Sequence, residues 1–597
     1  MSGKDTVLFA PVPVHTIRDR RLGGRRSLNS LFPMDQPASL AEWEGRRREI
    51  RERILMATGL DPMPEPTPLG VRIYGEIPMP GYTVSRVVFE SLPGFYVTGN
   101  LYTPESAGAL RPAVLNPHGH WENGRFEVSD TGNIPIRCAV MARMGMTAFS
   151  YDMVGYGDSR QMPHSLPWSR ETVYDGVGLM GIQLYNSIRA LDFVLGLPGT
   201  DPDRIYCTGA SGGGTQTFLL TAVDDRIAAA APVNMISAHM QGGCRCENAP
   251  LLRIGLGNIE IAACAAPRPM LMVSSTGDWT CCTPDCEYPA LRGIYSLYGA
   301  QSRLTQYHQD AGHNYNRNSR ERVYAWLSDL TGLEVVSEDA VRIPDTSRLR
   351  IGEDWRPDPV DEKRYLEIRN RYQKKTEDPE VYRTRLGALL GKDTLPSDLR
   401  PVWHCRQTEG DITALDGCLA STGTEHEQNP MRLLYASGCE RASLVLCAHP
   451  LGRDALRQDD QFRNEARQLV GRGYRVCVPD LYLTGEPYRK AASSEDRPEY
   501  DEAYNETDDV RRICDIAALA EELDAAAVLG YGRFGGLCAL AAALLDKSGV
   551  LFVAEIGDFG APDVPLLGLY GGVRIDLIGA RAAVAEARRP LAHTLPG

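Results

Sequence analysis

Between about 112 and 330, apolar residues fall in short runs separated by longer stretches of helical periodicity. The runs Ala113–Leu115, Thr147–Tyr151, Arg204–Thr208, Ala228–Val233, Met270–Ser274 and Leu304–His308 have the length and texture of buried strands. The segments Val173–Gly196 and Thr215–Val223 have the texture of crossover helices between them. This alternation predicts an α/β unit with a doubly wound, mostly parallel sheet, whose chemistry gathers in loops at the carboxyl ends of the strands. Upstream, the alternating β-type texture of Thr83–Phe89 and Phe95–Tyr102 predicts paired strands. The charged segment Leu40–Leu55 keeps apolar residues at helical spacing and predicts a surface helix. Residues 1–38 read as an irregular arm, and six prolines between Pro62 and Pro80 mark a linker.

The pattern then repeats. After a strongly charged stretch at 336–400, predicted to be a helical connector, Ser443–His449 parallels Ala113–His118, and Gly473–Asp480 parallels Gly145–Asp152. The Gly-to-Asp separation is seven in both pairs, and the His-to-Asp separations are 34 and 31. An internal duplication is expected, with domains at 1–80, 81–335, 336–400 and 401–597.

The length of 597 residues suits several domains, and 43% hydrophobic with 24% charged residues is ordinary for a globular protein. A net charge of −13 opposes binding to nucleic acid or anionic membranes. No apolar run reaches the roughly 18 residues of a membrane span. Arg21, Arg25 and Arg26 are not followed by the apolar core of a secretion signal. A cytoplasmic location is expected, with an exported form whose leader has been removed as the alternative. Fifteen cysteines, an odd number thinly spread, fit free thiols better than a disulfide framework.

The sharpest local feature is Gly209-Ala-Ser211-Gly-Gly213, where an apolar strand runs into G-x-S-x-G and then a helix. The five-residue pattern alone would occur by chance roughly 0.3 times in such a chain. Its strand–turn–helix context is what gives it weight, because a nucleophile elbow needs small neighbours around a strained serine. A serine hydroxyl needs a base, and the base needs an orienting carboxylate. Asp278, 67 residues after Ser211, follows a strand-like run, and His313, 35 residues further on, follows the next. His308 is an alternative base, and Asp285 or Glu287 an alternative orienter. Oxyanion donors are expected from the Gly212 amide and from the loop Asn116–Trp121, where the His120 amide is the first choice and Trp121 the second. Trp121, Trp279 and Met235 are the expected pocket walls, with His239 near the pocket or facing solvent.

Two other motifs carry less. Asp152–Ser159 lacks the spacing of a phosphate loop and reads as a tight structural turn. Cys244-Arg-Cys246 and Cys281-Cys282 with Cys286 are the cysteines that could meet, but C-x-C and C-C lack the usual C-x₂₋₄-C pairing, so no metal centre is expected and no cofactor is implied.

Together, Val97–Pro104, Pro117–His120, the Tyr151–Ser159 loop, Gly209–Gly213, Ala266–Pro269 with Gly277–Thr280, and Gly312–Tyr315 resemble the α/β-hydrolase superfamily. The resemblance is closest to its bacterial acetyl xylan esterase-like and dienelactone hydrolase-like branch, over about 80–330. It implies Ser211 as nucleophile, His313 as base and Asp278 as orienter. It further implies a serine carboxylesterase removing small acyl groups, such as acetyl, from carbohydrate or related esters. Gly212 stands where glucuronoyl esterases carry an arginine, which disfavours uronate methyl esters. A serine peptidase or amide hydrolase, and a non-catalytic scaffold, are the rival readings. In the repeat, Phe534 is expected at the nucleophile's place, and only 63 residues follow it against 102 between Ser211 and His313. A truncated, catalytically silent second copy is expected, one that packs, shapes the substrate cleft or mediates homo-oligomer formation.

Overall fold

A computed structural model of the chain describes residues 20–105, 110–166, 169, 172–173, 175–352, 354–374, 379–390, 399–421, 428–485, 497–545, 550–555 and 582–585. The chain forms two compact units. The larger comprises Arg26–Lys374 and Glu499–Asn505, and the smaller comprises Met1–Arg25, Lys375–Pro498 and Glu506–Gly597. No described helix is long and apolar enough to cross a membrane.

In the larger unit, α1 (Leu40–Ala57) is capped by Ser39, whose hydroxyl accepts from the Glu42 amide. It buries Trp43, Ile50 and Ile54 on one stripe, while arginines on its flank pair with Asp225 and Glu260. The strands that follow are β1 (Arg72–Met79), β2 (Tyr82–Leu92), β3 (Phe95–Pro104), β4 (Arg111–Leu115), β5 (Thr147–Tyr151), β6 (Thr200–Ala210), β7 (Ala229–Val233), β8 (Met270–Gly277) and β9 (Leu304–Gly312). They form one sheet in the order β1-β2-β3-β5-β4-β6-β7-β8-β9. The expected pair β2–β3 is antiparallel, and β5, β4, β6, β7, β8 and β9 run parallel. Crossovers include α2 (Ile134–Met144), α3 (Leu179–Leu195) and α4 (Gly212–Val223), and apolar cores lie on both faces of the sheet. The doubly wound fold read from the periodicity is therefore present, with every predicted parallel strand in place. α3 begins at Leu179, not at 173, because Gly176 takes a positive φ of 71° and Gly178 forms the N-cap.

The stretch after 335 does not behave as a free connector as far as Lys374. Glu338 pairs with Arg320 at 2.6 Å, Leu349 O accepts from Asn100 at 2.9 Å, and the Ile351 amide donates to Asp158 at 2.9 Å. α5 (Glu362–Tyr372) buries Tyr365 edge-on to Phe95, with ring centroids 5.0 Å apart. High charge disguised this segment: Tyr365 and Ile368 are its buried apolar residues, with Leu366 and Tyr372 half-buried beside them, and Arg369 is buried while donating to the Asp175 and Gly176 carbonyls.

In the smaller unit, eight strands are ordered β10 (Leu399–Glu409), β11 (Ile412–Ser421), β12 (Gln428–Ala436), β14 (Arg475–Pro479), β13 (Leu444–Ala448), β15 (Ala525–Gly530), β16 (Leu551–Glu555) and β17 (Ala582–Ala585). This is the larger sheet's order, and β9 has no counterpart among the described residues. A buried ion pair repeats too. Arg125 binds Asp152 in the larger unit, and Arg453 Nε lies 2.9 Å from Asp480 Oδ2 in the smaller. Five residues beyond each aspartate stands a glycine with positive φ, Gly157 at 56° and Gly485 at 72°. A Cβ there would lie 2.1 Å from Asp152 Oδ1 in one case and 2.2 Å from Asp480 Oδ1 in the other. The glycine-rich loop after Asp152 thus wraps a carboxylate, as a structural turn does.

The position expected for the nucleophile in the repeat needs correction. Phe534 is the first residue of a helix, Phe534–Leu544, and is fully buried. The turn residue with the strained conformation is Gly532, at φ 52°, which matches φ 57° at Ser211. Neither Gly532 nor Phe534 carries a nucleophilic group.

Candidate active site

β6 ends at Ala210 and α4 starts at Gly212, so Ser211 alone makes the turn, at φ 57° and ψ −127°. A non-glycine residue there costs about 1–3 kcal/mol, which the surrounding packing must hold. The packing leaves no room for larger neighbours: a Cβ at Gly209 or at Gly213 would come within 2.5 Å of Pro117 O. The Ser211 amide donates to Val233 O at 3.2 Å, which fixes the turn to β7. At the start of α4 the amides have no partners within the helix, so the Gly212 N–H lies beside the serine with the positive end of the helix dipole.

The loop Pro117–Trp121 packs directly over this turn. A Cβ on Gly119 would lie 2.7 Å from Ala210 O and 3.1 Å from Ser211 Cβ, and one on Gly212 would lie 2.7 Å from His120 Cε1. The His120 ring therefore occupies the space that an arginine at 212 would need. His118 is wholly buried, and burial pushes its pKa down to about 3. Its neutral ring accepts from the Met153 amide at 3.0 Å and donates to Gly119 O at 2.7 Å, which holds the loop to the end of β5.

Asp278 follows β8 and His313 follows β9, and these parallel strands pair from Met270 and Leu304 to Gly277 and Gly312, with the register shifting between Ser275 and Gly277. His313 Nδ1 lies 3.2 Å from Asp278 Oδ1, while Thr280 Oγ1 donates to Asp278 Oδ2 at 2.9 Å. The Asp278 carboxylate is fully buried and the His313 side chain is 32% exposed. That leaves the imidazole reachable from solvent while its partner is shielded. Asn314 Nδ2 donates to Ser275 Oγ at 3.1 Å, tying the His313 loop to the end of β8. The Tyr315 hydroxyl lies 2.7 Å from Thr208 Oγ1, three residues before the serine on β6. Asn314 and Tyr315 belong to the Gly312–Tyr315 motif, and their contacts with Ser275 and Thr208 emerge only in the fold. No hydrogen bond joins the Ser211 hydroxyl to the imidazole among the described residues; such contacts are commonly looser before substrate binds.

The remaining candidates separate clearly. Trp279 packs against His313 with ring centroids 4.3 Å apart and the planes tilted by 35°, and half-buried Trp121 packs on Gly132 beside the 313–315 loop. Met235 is 1% exposed and lies under α4 against Gly214, so it offers no face to a ligand and is not a pocket wall. His308 points to Ser274 Oγ at 2.8 Å within the sheet, Glu287 accepts from the Ala238 amide at 2.8 Å, and Asp285 and His239 are exposed. None of these four is bonded to His313.

One grouping was missed by the sequence reading. His120 Nε2 lies 3.0 Å from Cys246 Sγ and His164 Nε2 lies 3.1 Å from Cys244 Sγ, all four atoms falling within 4.8 Å of one another. Cys281 and Cys282 form a separate pair, their sulfurs 3.7 Å apart. Hydrogen bonding, first from Cys246 and then from the two histidines, holds the Cys244 thiol far below its ordinary range, while burial pushes Cys246 up.

Residues 74–241 match the family model described as acetyl xylan esterase (AXE1). Over 144 residues the chain is 29% identical to YtaP of Bacillus subtilis (strain 168), which bears the name of a hydrolase. That match takes in 23% of this chain and 46% of the other, so the chain spans about half the length of the curated relative it matches. A solved methylesterase designated BT1017 is 30% identical with a TM-score of 0.49, covering 56% of this chain and 78% of that one. An acetyl xylan esterase from Paenibacillus sp. R4 is 16% identical with a TM-score of 0.34, covering 50% and 97%.

Proposed function

The chain belongs to the α/β-hydrolase superfamily, in its acetyl xylan esterase-like branch, and from that premise we propose a serine carboxylesterase that works through an acyl-enzyme. The observation that carries this reading is Ser211 in a strained strand-to-helix turn, with the His313–Asp278 pair on loops at the same carboxyl edge of the sheet. Ser211 Oγ attacks the ester carbonyl while His313 Nε2 takes its proton. Asp278 accepts the Nδ1–H and stabilises the imidazolium. The negative charge on the former carbonyl oxygen meets the Gly212 amide and the amide of His120, with Trp121 as the second choice. The C–O bond to the alcohol then breaks, and His313 returns the proton to the leaving oxygen. Water, deprotonated by the same imidazole, cleaves the acyl-serine and frees the acid.

The acyl group is small, acetyl on a carbohydrate being the reading the family description favours. Trp121 and Trp279 flank the site and offer flat faces to a sugar ring. The test is a substrate panel run beside fluorophosphonate labelling. Acetyl esters should be hydrolysed at least about tenfold faster than butyryl esters, and one serine should be labelled. Methyl carboxylates, the class named for the 30% identical relative, and peptide amides form the contrasting arms. Preference for either would replace the acetyl assignment, and a folded chain that resists labelling would sink the serine mechanism.

The loop over the serine makes its own prediction. Gly119→Ala must push the loop away from Ala210 O and Ser211 Cβ, which a Cβ would approach to 2.7 and 3.1 Å. A displaced donor should lower kcat about 100-fold with a smaller effect on KM. Steady-state kinetics on the folded variant checks this, and an unchanged kcat would show that the loop does not set the geometry of the site.

A further inference from the structure

We propose that His120, His164, Cys244 and Cys246 form a four-coordinate site for a thiophilic divalent cation, zinc by the chemistry of its donors. Two thiolates and two imidazoles are the donor set that selects zinc over harder cations, and four protein donors make a closed, structural site. The ligand atoms are already gathered. The nitrogen–sulfur contacts are 3.0 and 3.1 Å, and all four atoms lie within 4.8 Å of one another. With metal–ligand bonds of about 2.0–2.3 Å, a tetrahedron has edges of roughly 3.3–3.8 Å, so small side-chain adjustments suffice.

The second observation is independent of that clustering. His164 Nδ1 lies 2.8 Å from the carbonyl of Val154, to which it donates. That bond leaves the lone pair on Nε2, the atom that faces Cys244 Sγ, as the outer-ring hydrogen bond of a metal-bound histidine does. The loop bearing the cysteines is likewise held in advance. Glu247 accepts from the Gly243 and Cys244 amides at 2.9 and 3.1 Å, and Asn248 donates to Cys244 O at 2.9 Å. Buried Arg253 ties Glu247 O to Gln241 O. A cation would also balance two thiolates beside the buried Glu247 carboxylate.

The ion would bind three segments that the sequence keeps far apart: the loop over Ser211, the turn at His164 and the Cys244–Cys246 loop. Because the His120 ring lies against Gly212, the metal would stiffen the oxyanion side of the site without touching the substrate. This assignment replaces the expectation of no metal centre. It does not depend on the esterase reading, since it is read by metal content and not by turnover.

The experiment measures metal in the full chain, expressed with zinc and purified under reducing conditions without chelator. About one zinc per chain should survive gel filtration, and cobalt substitution should give thiolate charge-transfer and tetrahedral d–d absorption. Cys244→Ser and His164→Gln should each lower zinc retention at least about tenfold, while Cys282→Ser, in the separate pair, should leave it unchanged. Two single variants guard against one misfolding. A reduced, folded wild-type chain that takes up no stoichiometric zinc would overturn the proposal. So would full retention by both ligand variants, or a Cys244–Cys246 disulfide found by mass mapping of the native protein.

Discussion

Ser211→Ala is expected to reduce kcat/KM for an acetyl ester by about 10⁴-fold or more, equivalent to some 5.5 kcal/mol of transition-state stabilisation. Circular dichroism should stay unchanged. The methyl group of alanine fits where the serine Cβ already sits, and the strained φ of 57° belongs to the turn, not to the hydroxyl. What disappears is the oxygen proposed to form the acyl bond, so burst kinetics and fluorophosphonate labelling should vanish together. The Gly212 and His120 amides remain and can still polarise a bound carbonyl, which accounts for any residual rate above water. A variant that kept even a tenth of wild-type activity would remove Ser211 from the mechanism and favour an unrelated site.

Asp278→Asn should lower kcat by about 10³–10⁴-fold with little change in KM, for a reason particular to this site. Thr280 Oγ1 donates to Asp278 Oδ2 at 2.9 Å, so an asparagine will keep its carbonyl oxygen there. Its NH₂ then faces His313 Nδ1 at the place where Oδ1 now accepts, at 3.2 Å. The imidazole must accept at Nδ1 and carry its proton on Nε2, the nitrogen that should take the proton from Ser211. Geometry survives and the tautomer is wrong. Asp285→Asn, an exposed carboxylate off the His313 loop, should stay within about twofold of wild type. If the two substitutions exchanged these effects, Asp285 would be the orienting acid.

Much of the candidate site was readable from the chain because its residues are tied to short-range pattern. Ser211 sits where a strand-length apolar run meets glycines at offsets of two, and the contacts of Gly209 and Gly213 with Pro117 O explain why only glycine fits. Asp278 and His313 each follow a predicted strand, and parallel order carries both to one edge. Met235 misled for the opposite reason. It too follows a strand, but its side chain turns inward under Gly214, and strand position alone says nothing about the direction of a loop residue. The segment after 335 looked like a connector because charge dominates its composition. Its attachment depends on a few buried groups, Tyr365, Ile368 and Arg369, whose partners lie hundreds of residues earlier.

Phe534 shows the same limit in the smaller unit. Alignment of glycine patterns placed it at the elbow, whereas the backbone puts the positive-φ residue at Gly532, two positions earlier. The absence of a nucleophilic side chain holds for either residue, and the repeated Arg–Asp pair with its trailing glycine supports common ancestry more strongly than the elbow does.

The sequence by itself determined the class of fold, the order of the candidate residues Ser211, Asp278 and His313 after successive strands, and the lack of a nucleophilic side chain at Gly532 and Phe534. Each of these is a local pattern: periodicity sets strands and helices, and steric demands set the glycines beside Ser211. The tertiary structure alone decided which side chains meet. His120, His164, Cys244 and Cys246 are separated by 44, 80 and 2 residues, and no spacing rule joins them. They meet because three loops leave the same edge of a parallel sheet, a consequence of strand order that has no signature in any short stretch of chain.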